Sequence, residues 1–150
     1  MKLEPDCVRD VLLYLESHLE YVERNDHGLE HNEINFSSIS DALLQEHNYS
    51  KDSVNYAIEK LLEVGFITSN KQVYGNKKTI LSSPISDITW SGHQFLNNIR
   101  KQSIWDATKS GAKKIGATSI SAFNMIAMEI VKTIVTKPEV INSIISEFHL

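Results

Sequence analysis

Apolar residues recur at intervals of three and four along most of the chain, a spacing that places them on one face of successive helices. The first set, Val8, Val11, Leu12, Leu15, Leu19 and Val22, predicts a helix beginning near Pro5, whose fixed φ suits a first helical turn. Cys7 lies in this helix and is expected to pack as a small hydrophobe. The pattern lapses between Arg24 and Glu33, where Asn25-Asp26-His27-Gly28 has turn composition, and Ile34-Asn35-Phe36 alternates like one short strand. Ser37 or Ser38 is placed to cap a short helix carrying Ile39, Leu43 and Leu44, which Asn48-Tyr49-Ser50 breaks. Ser50 caps a third helix with core positions Val54, Ala57, Ile58, Leu61 and Leu62, and Gly65 stands where a left-handed terminator belongs. Phe66-Ile67-Thr68 and Thr79-Ile80-Leu81-Ser82 then read as two strands joined by a polar turn at Gly75-Asn76, with Pro84 and a short segment, 85–89, following.

Helix, strand, helix, helix, strand, turn, strand is the order of a winged-helix domain, with the second and third helices as the helix-turn-helix and the hairpin as the wing. The expected fold is therefore α+β and mainly helical: a winged-helix-like domain over residues 1–90, followed by a helical extension over residues 91–150 packed with it as one unit. In that extension Ser91 is placed to cap a helix through Phe95, Leu96 and Ile99, Ile104 and Trp105 continue the apolar contacts, and 109–114 is basic and interrupted by Gly111. A long helix is predicted from about Thr118 to Val135. Ile120, Phe123, Ala127, Ile130, Val131 and Ile134 share one face of it. Thr136 and Glu139 have capping-box spacing, so a last helix after Pro138 is expected with Val140, Ile141, Ile144, Ile145 and Phe148 on its apolar side.

Charge changes the picture, because the net −4 conceals an asymmetry. Residues 1–64 carry five Lys/Arg and fourteen Asp/Glu, whereas residues 65–150 carry ten and five. Such a bipolar molecule has one surface suited to an anionic partner and another that repels it. The wing has Lys71, Lys77 and Lys78, and Arg100, Lys101, Lys109, Lys113 and Lys114 follow downstream. These are the candidate nucleic-acid contacts, although an acidic protein surface would suit them equally. On the third helix, the ridge opposite the core holds Asp52, Tyr56, Glu59 and Glu63. Three acids and no base argue against ordinary major-groove docking and mark a candidate protein-binding face. Lys51, Asn55 and Lys60 flank this ridge at positions from which a groove is within reach.

Two stretches resemble a family of small phage and prophage proteins of unassigned function. The first is Met1-Lys2-Leu3 with Asp6, Arg9-Asp10 and Leu12-Leu13-Tyr14-Leu15-Glu16. The second, longer and more distinctive, is Ile88-Thr89-Trp90-Ser91-Gly92-His93-Gln94-Phe95-Leu96-Asn97-Asn98-Ile99-Arg100, with Trp105 shortly after. The resemblance covers residues 1 to about 110. It implies a winged-helix-like N-terminal part and an origin in a phage or an integrated prophage, and it brings no catalytic residues.

Catalytic and metal chemistry find little footing in the sequence. His27 and His31 stand four apart near Glu30 and Glu33, but Gly28 makes a helix there doubtful and no third ligand has a persuasive spacing, so both are expected to be exposed loop histidines. Cys7 and His18 lie three helical turns apart, too far to act as nucleophile and base with Asp10 as orienter. His93 is expected to be a helix-start residue packed on Trp90 or bonded to a backbone carbonyl. No nucleophile elbow, phosphate loop or zinc-helix motif occurs. One cysteine excludes an internal disulfide, and neither a leader peptide nor an apolar stretch of membrane-spanning length is apparent, which points to an intracellular setting in a bacterial host. The expectation is a non-enzymatic regulator without metal or cofactor, acting on DNA through its wing. The alternative is an adaptor or inhibitor of a host or phage protein, for example in counter-defence. The face of the long helix is expected to make a homo-oligomer, with no membrane contact.

Overall fold

A computed structural model describes residues 1–25, 28–69 and 83–147. Among these the fold is α+β and mainly helical, with seven helices and four short strands. The chain divides into two compact units, Met1–Leu96 and Asn97–Leu150, and the division falls inside a helix.

The first unit begins with α1 (Pro5–His18), which buries Cys7, Val8, Val11, Leu12 and Leu15. It stops short of the predicted Val22 because Asn32 clasps its end. The Asn32 side chain donates to the His18 carbonyl at 2.9 Å and accepts from the Glu20 N–H at 2.8 Å. Val22 instead belongs to β1 (Tyr21–Glu23), which pairs antiparallel with β2 (Leu29–His31) through Val22 opposite Glu30. The segment expected to be a plain loop is thus a hairpin, and Asn25 and Gly28 take up the positive φ values its turn requires. Ile34 makes a single bridge to Ile85, and Phe36 is already helical, so the predicted strand at 34–36 reduces to one residue.

Helix α2 (Phe36–His47) has its cap position at Asn35, two residues before the first of the predicted serine caps, and no side chain caps it. Asn48 ends it in the left-handed region at φ 59. The Ser50 hydroxyl caps α3 (Lys51–Glu63) by accepting from the Ser53 N–H. Val54, Ala57, Ile58 and Leu61 of α3 are buried, as expected, against α1 and α2. Gly65, at φ +76, ends α3 in a Schellman turn: Gly65 N–H reaches the Leu62 carbonyl and Phe66 N–H the Leu61 carbonyl. Chain reversal there delivers β3 (Ile67–Thr68), which pairs antiparallel with β4 (Asp87–Ile88). Segment 85–88 therefore runs with Ile34 on one side and β3 on the other. The expected return strand at 79–82 lies outside the described residues.

Helix α4 (Trp90–Ile99) is capped by Thr89, not by Ser91. The Thr89 hydroxyl accepts from Gly92 N–H at 3.1 Å and donates to the Gly65 carbonyl at 2.6 Å, tying the helix start to the end of α3. Phe95 of α4 meets Phe66 with ring centroids 5.3 Å apart. Burial pushes the Cys7 thiol up to about 12, helped by Glu4 and Asp10 nearby, so it stays a protonated hydrophobe at neutral pH. Beside it the Tyr49 hydroxyl donates to Asp10 at 2.7 Å, and desolvation followed by that bond raises the phenol as well.

The second unit contains α5 (Gln102–Ile115), α6 (Ile120–Val135) and α7 (Pro138–Glu147). Sequence spacing did not foresee α5 as a continuous helix, because Gly111 falls in its middle. That glycine has a packing role: a Cβ there would lie 3.2 Å from Ile126 on α6. Trp105, Thr108 and Ala112 line the buried face of α5, and Phe123 meets the Trp105 ring edge-on at 6.3 Å. Ser119 caps α6 by accepting from Ala122 N–H. The cap position of α7 is Lys137, whose carbonyl accepts from Ile141 N–H at 3.2 Å, one residue beyond the capping box expected at Thr136; the Thr136 hydroxyl donates backwards to the Thr133 carbonyl at 3.1 Å.

Candidate functional site

A groove of about 360 Å³ opens on the first unit where the β1–β2 hairpin, β4 and the start of α4 come together. Leu19 and Ile88 supply its apolar lining, Tyr21 and Trp90 its aromatic groups, and Glu16, Glu20 and Asp87 its carboxylates. His31 and His93 complete it. Trp90 is 78% exposed and Tyr21 68%. Tryptophan is among the more deeply buried residue types on average, so an indole left this open beside a second open aromatic ring is informative.

Local structure explains this placement. On α4 the buried side is Gly92, Phe95, Leu96 and Ile99. Nine residues from Ile99 at about 100° each put Trp90 on the opposite side of the helix. The hairpin brings Tyr21 and His31 side by side as register partners, their rings meeting edge-on at 4.6 Å. The His31 Nδ1–H donates to the Ser86 carbonyl at 3.2 Å and stands 3.7 Å from the Asp87 carboxylate. His31 is therefore a partly buried strand residue and not the exposed loop histidine expected from the turn composition around it. Asp87 is also fixed from its own backbone, since its other oxygen accepts from Ile88 N–H at 2.8 Å. A second cavity of about 510 Å³ shares His31 and Asp87 and adds Glu30, Glu33 and Arg24, the last 3.5 Å from Glu30. The groove is thus aromatic and acidic.

The residues singled out from sequence fall elsewhere. Lys71, Lys77 and Lys78 lie outside the described residues, as does His27. Lys101, Lys113 and Lys114 are exposed on the second unit. Arg100 donates to the Asn97 side chain at 3.1 Å, and Lys109 sits 3.8 Å from Asp106 and over the Trp105 ring. The ridge of α3 holds Asp52, Tyr56, Glu59 and Glu63 on the side of the helix away from its buried residues. Lys60 beside it is bound to Glu63 at 2.7 Å and lies over the Tyr56 ring, while Asn55 accepts a bond from Ser40. No group of three or more His, Cys, Asp or Glu residues suited to a metal ion occurs among the described residues.

The expected oligomer face needs correction. Ile120, Phe123 and Ala127 are buried within the chain, where α5 packs on α6, while Ile130, Val131 and Ile134 remain partly exposed. The open apolar surface of α6 is turned further round the helix. There Met125, Ile126, Ile130 and Ile134 line a shallow groove of about 500 Å³ together with Glu129 and Thr133. No residue of α7 is buried, and its Ile141, Ile144 and Ile145 are all exposed. No helix among the described residues is long and apolar enough to cross a membrane.

Neither Trp90 nor Tyr21 was singled out from the sequence. The signal for Trp90 was present in the wheel position that sets it opposite Ile99, whereas the signal for Tyr21 depends on a hairpin that the turn composition concealed.

The model of a family described as a hypothetical protein family (DUF2513) matches residues 2–119, and the chain belongs to that family. The match takes in the whole groove and ends one residue before α6. No curated protein and no solved structure matches the chain.

Proposed function

We propose that this chain is a non-enzymatic regulatory protein of phage or prophage origin whose first unit is a winged-helix-like scaffold that binds another protein. Element order supports the scaffold once the β1–β2 hairpin is taken as an insertion after α1: α1, the bridge residue Ile34, α2, α3, then a ladder whose returning segment lies between Ile34 and β3. The origin rests on the resemblance carried by residues 88–100. The observation that carries protein binding is the exposed Trp90 in a groove with Tyr21, since aromatic anchors of this kind concentrate binding energy at protein interfaces. A phosphate backbone suits this groove poorly because three carboxylates line it. The acidic ridge of α3 agrees, with its nearest lysine already neutralised by Glu63.

Affinity capture from host lysate with the wild-type chain and with Trp90→Ala tests the reading. At least one protein is expected to be recovered by the wild type and depleted about tenfold or more on the variant, the scale of one aromatic hot spot. Equal recovery of the same proteins by both would overturn it. A second reading, DNA contact through Lys71, Lys77 and Lys78 together with the downstream cations, is favoured by the exposure of Lys101, Lys113 and Lys114.

The second unit is proposed to self-associate through α6. Met125, Ile126, Ile130 and Ile134 form an open stripe, α7 leaves Ile141, Ile144 and Ile145 exposed as well, and covering such area gains roughly 25 cal/mol per Å². Light scattering should give a mass above the 17.0 kDa of one chain, and Ile130→Glu with Ile134→Glu should return it to that value. A monomer in the wild type across micromolar concentrations would reject the association.

A further inference from the structure

We infer that the groove beside Trp90 is a receptor for an arginine side chain on a basic segment of the partner. This rests on the reading of the first unit as a protein-binding scaffold and names the chemistry of what it binds. Three independent features of the groove converge on a guanidinium. The open indole of Trp90 and the phenol of Tyr21 offer π faces, which attract a cation and suit the flat guanidinium better than a compact ammonium. Glu20 and Asp87 supply anionic oxygens in the same groove, and the Ile88 N–H holds the Asp87 carboxylate in place. Leu19 and Ile88 give the aliphatic stem of the guest an apolar wall.

Size agrees with such a guest. About 360 Å³ is at the small end of ligand pockets, enough for one long side chain and its backbone but not for a packed helix. The neighbouring cavity, walled by the same His31 and Asp87, sets Glu30, Glu33 and Asp87 against one cation, Arg24, which Glu30 already meets at 3.5 Å, so its wall stays acidic enough to seat a further basic residue of the same segment. The surplus of nine acids over bases in residues 1–64 favours the approach of such a partner and opposes a polyanion.

The test is titration of a capped, dye-labelled hexa-arginine peptide against the full chain, read by anisotropy, with a hexa-lysine peptide as comparator. Of the two tryptophans Trp105 is fully buried, so a change in intrinsic emission on adding unlabelled peptide reports on Trp90. Saturable binding is expected, tighter for arginine than for lysine. Trp90→Ala should weaken it about three- to thirtyfold, the range of one cation–π contact. Glu20→Gln with Asp87→Asn should weaken it at least as much, and the amide oxygen that the second substitution introduces can still accept from Ile88 N–H. Asp41→Asn with Glu46→Gln removes two exposed acids of α2 outside the groove and should leave it nearly unchanged. If that double variant loses as much as the groove variants while Trp90→Ala loses nothing, the attraction is diffuse charge and the inference falls. Absence of binding also overturns it. The protein-binding reading would still stand if lysate capture remained sensitive to Trp90.

Discussion

Gly92→Ala is expected to destabilise the first unit by about 3 kcal/mol or more, the upper end of what overpacking costs. An added Cβ would lie 2.1 Å from the Phe66 carbonyl oxygen and 2.8 Å from the Ile88 side chain. Neither neighbour can easily retreat. The Phe66 oxygen accepts from Thr89 N–H at 2.9 Å, its N–H closes the turn that ends α3, and its ring lies against Phe95. Gly28→Ala is the informative control: φ is +78 there, but nothing lies within 4 Å of the added carbon. It should cost only about 1–2 kcal/mol, from the backbone conformation alone. Urea unfolding of both variants separates the steric from the conformational penalty. A midpoint for Gly92→Ala no lower than that of Gly28→Ala would mean that α4 does not pack on the α3–β3 junction as described.

The two tryptophans should respond in opposite ways to the same substitution. Trp105→Ala is expected to cost about 3–5 kcal/mol, as for other buried aromatic truncations, because the ring is fully buried and meets Phe123. Trp90→Ala should change stability by no more than about 0.5 kcal/mol, as at other surface positions without special contacts, while removing the proposed anchor. Denaturation followed by far-ultraviolet circular dichroism gives both values directly. A large loss for Trp90→Ala would assign the indole to folding and remove the argument that it is held open for a partner.

These contrasts also show how far the chain could be read before its structure. Periodicity located α1, α3 and α6 because each buries a regular stripe, and it located α7 from an apolar stripe that stays exposed; Ser50, Gly65 and Pro138 marked ends through chemistry that acts locally. The misses share a cause, which is that the deciding contact came from a distant residue. Asn32 ends α1 from across the hairpin, so Val22 could not be assigned to a strand from its own neighbourhood. Gly111 looks like a breaker until Ile126 is placed beside it. Thr89 outcompetes Ser91 as a cap because the Gly65 carbonyl orients its hydroxyl. The groove was hidden for the same reason: Tyr21, His31, Asp87 and Trp90 are spread over seventy positions of sequence, and only the hairpin and β4 bring them together. The acidic ridge of α3 was legible because a single helix carries all of it.

Whether this surface works on protein or on phosphate is decided most directly by the equilibrium binding of the full chain to a mixed-sequence DNA duplex over a salt series. An acidic, aromatic binding face predicts weak binding even at low salt, with a log–log slope of magnitude below about 2, equivalent to one or two neutralised phosphates. Binding that falls with a slope of about −5 or steeper, and that disappears when Lys71, Lys77 and Lys78 are reversed to glutamate, would contradict the account and make the wing the working surface.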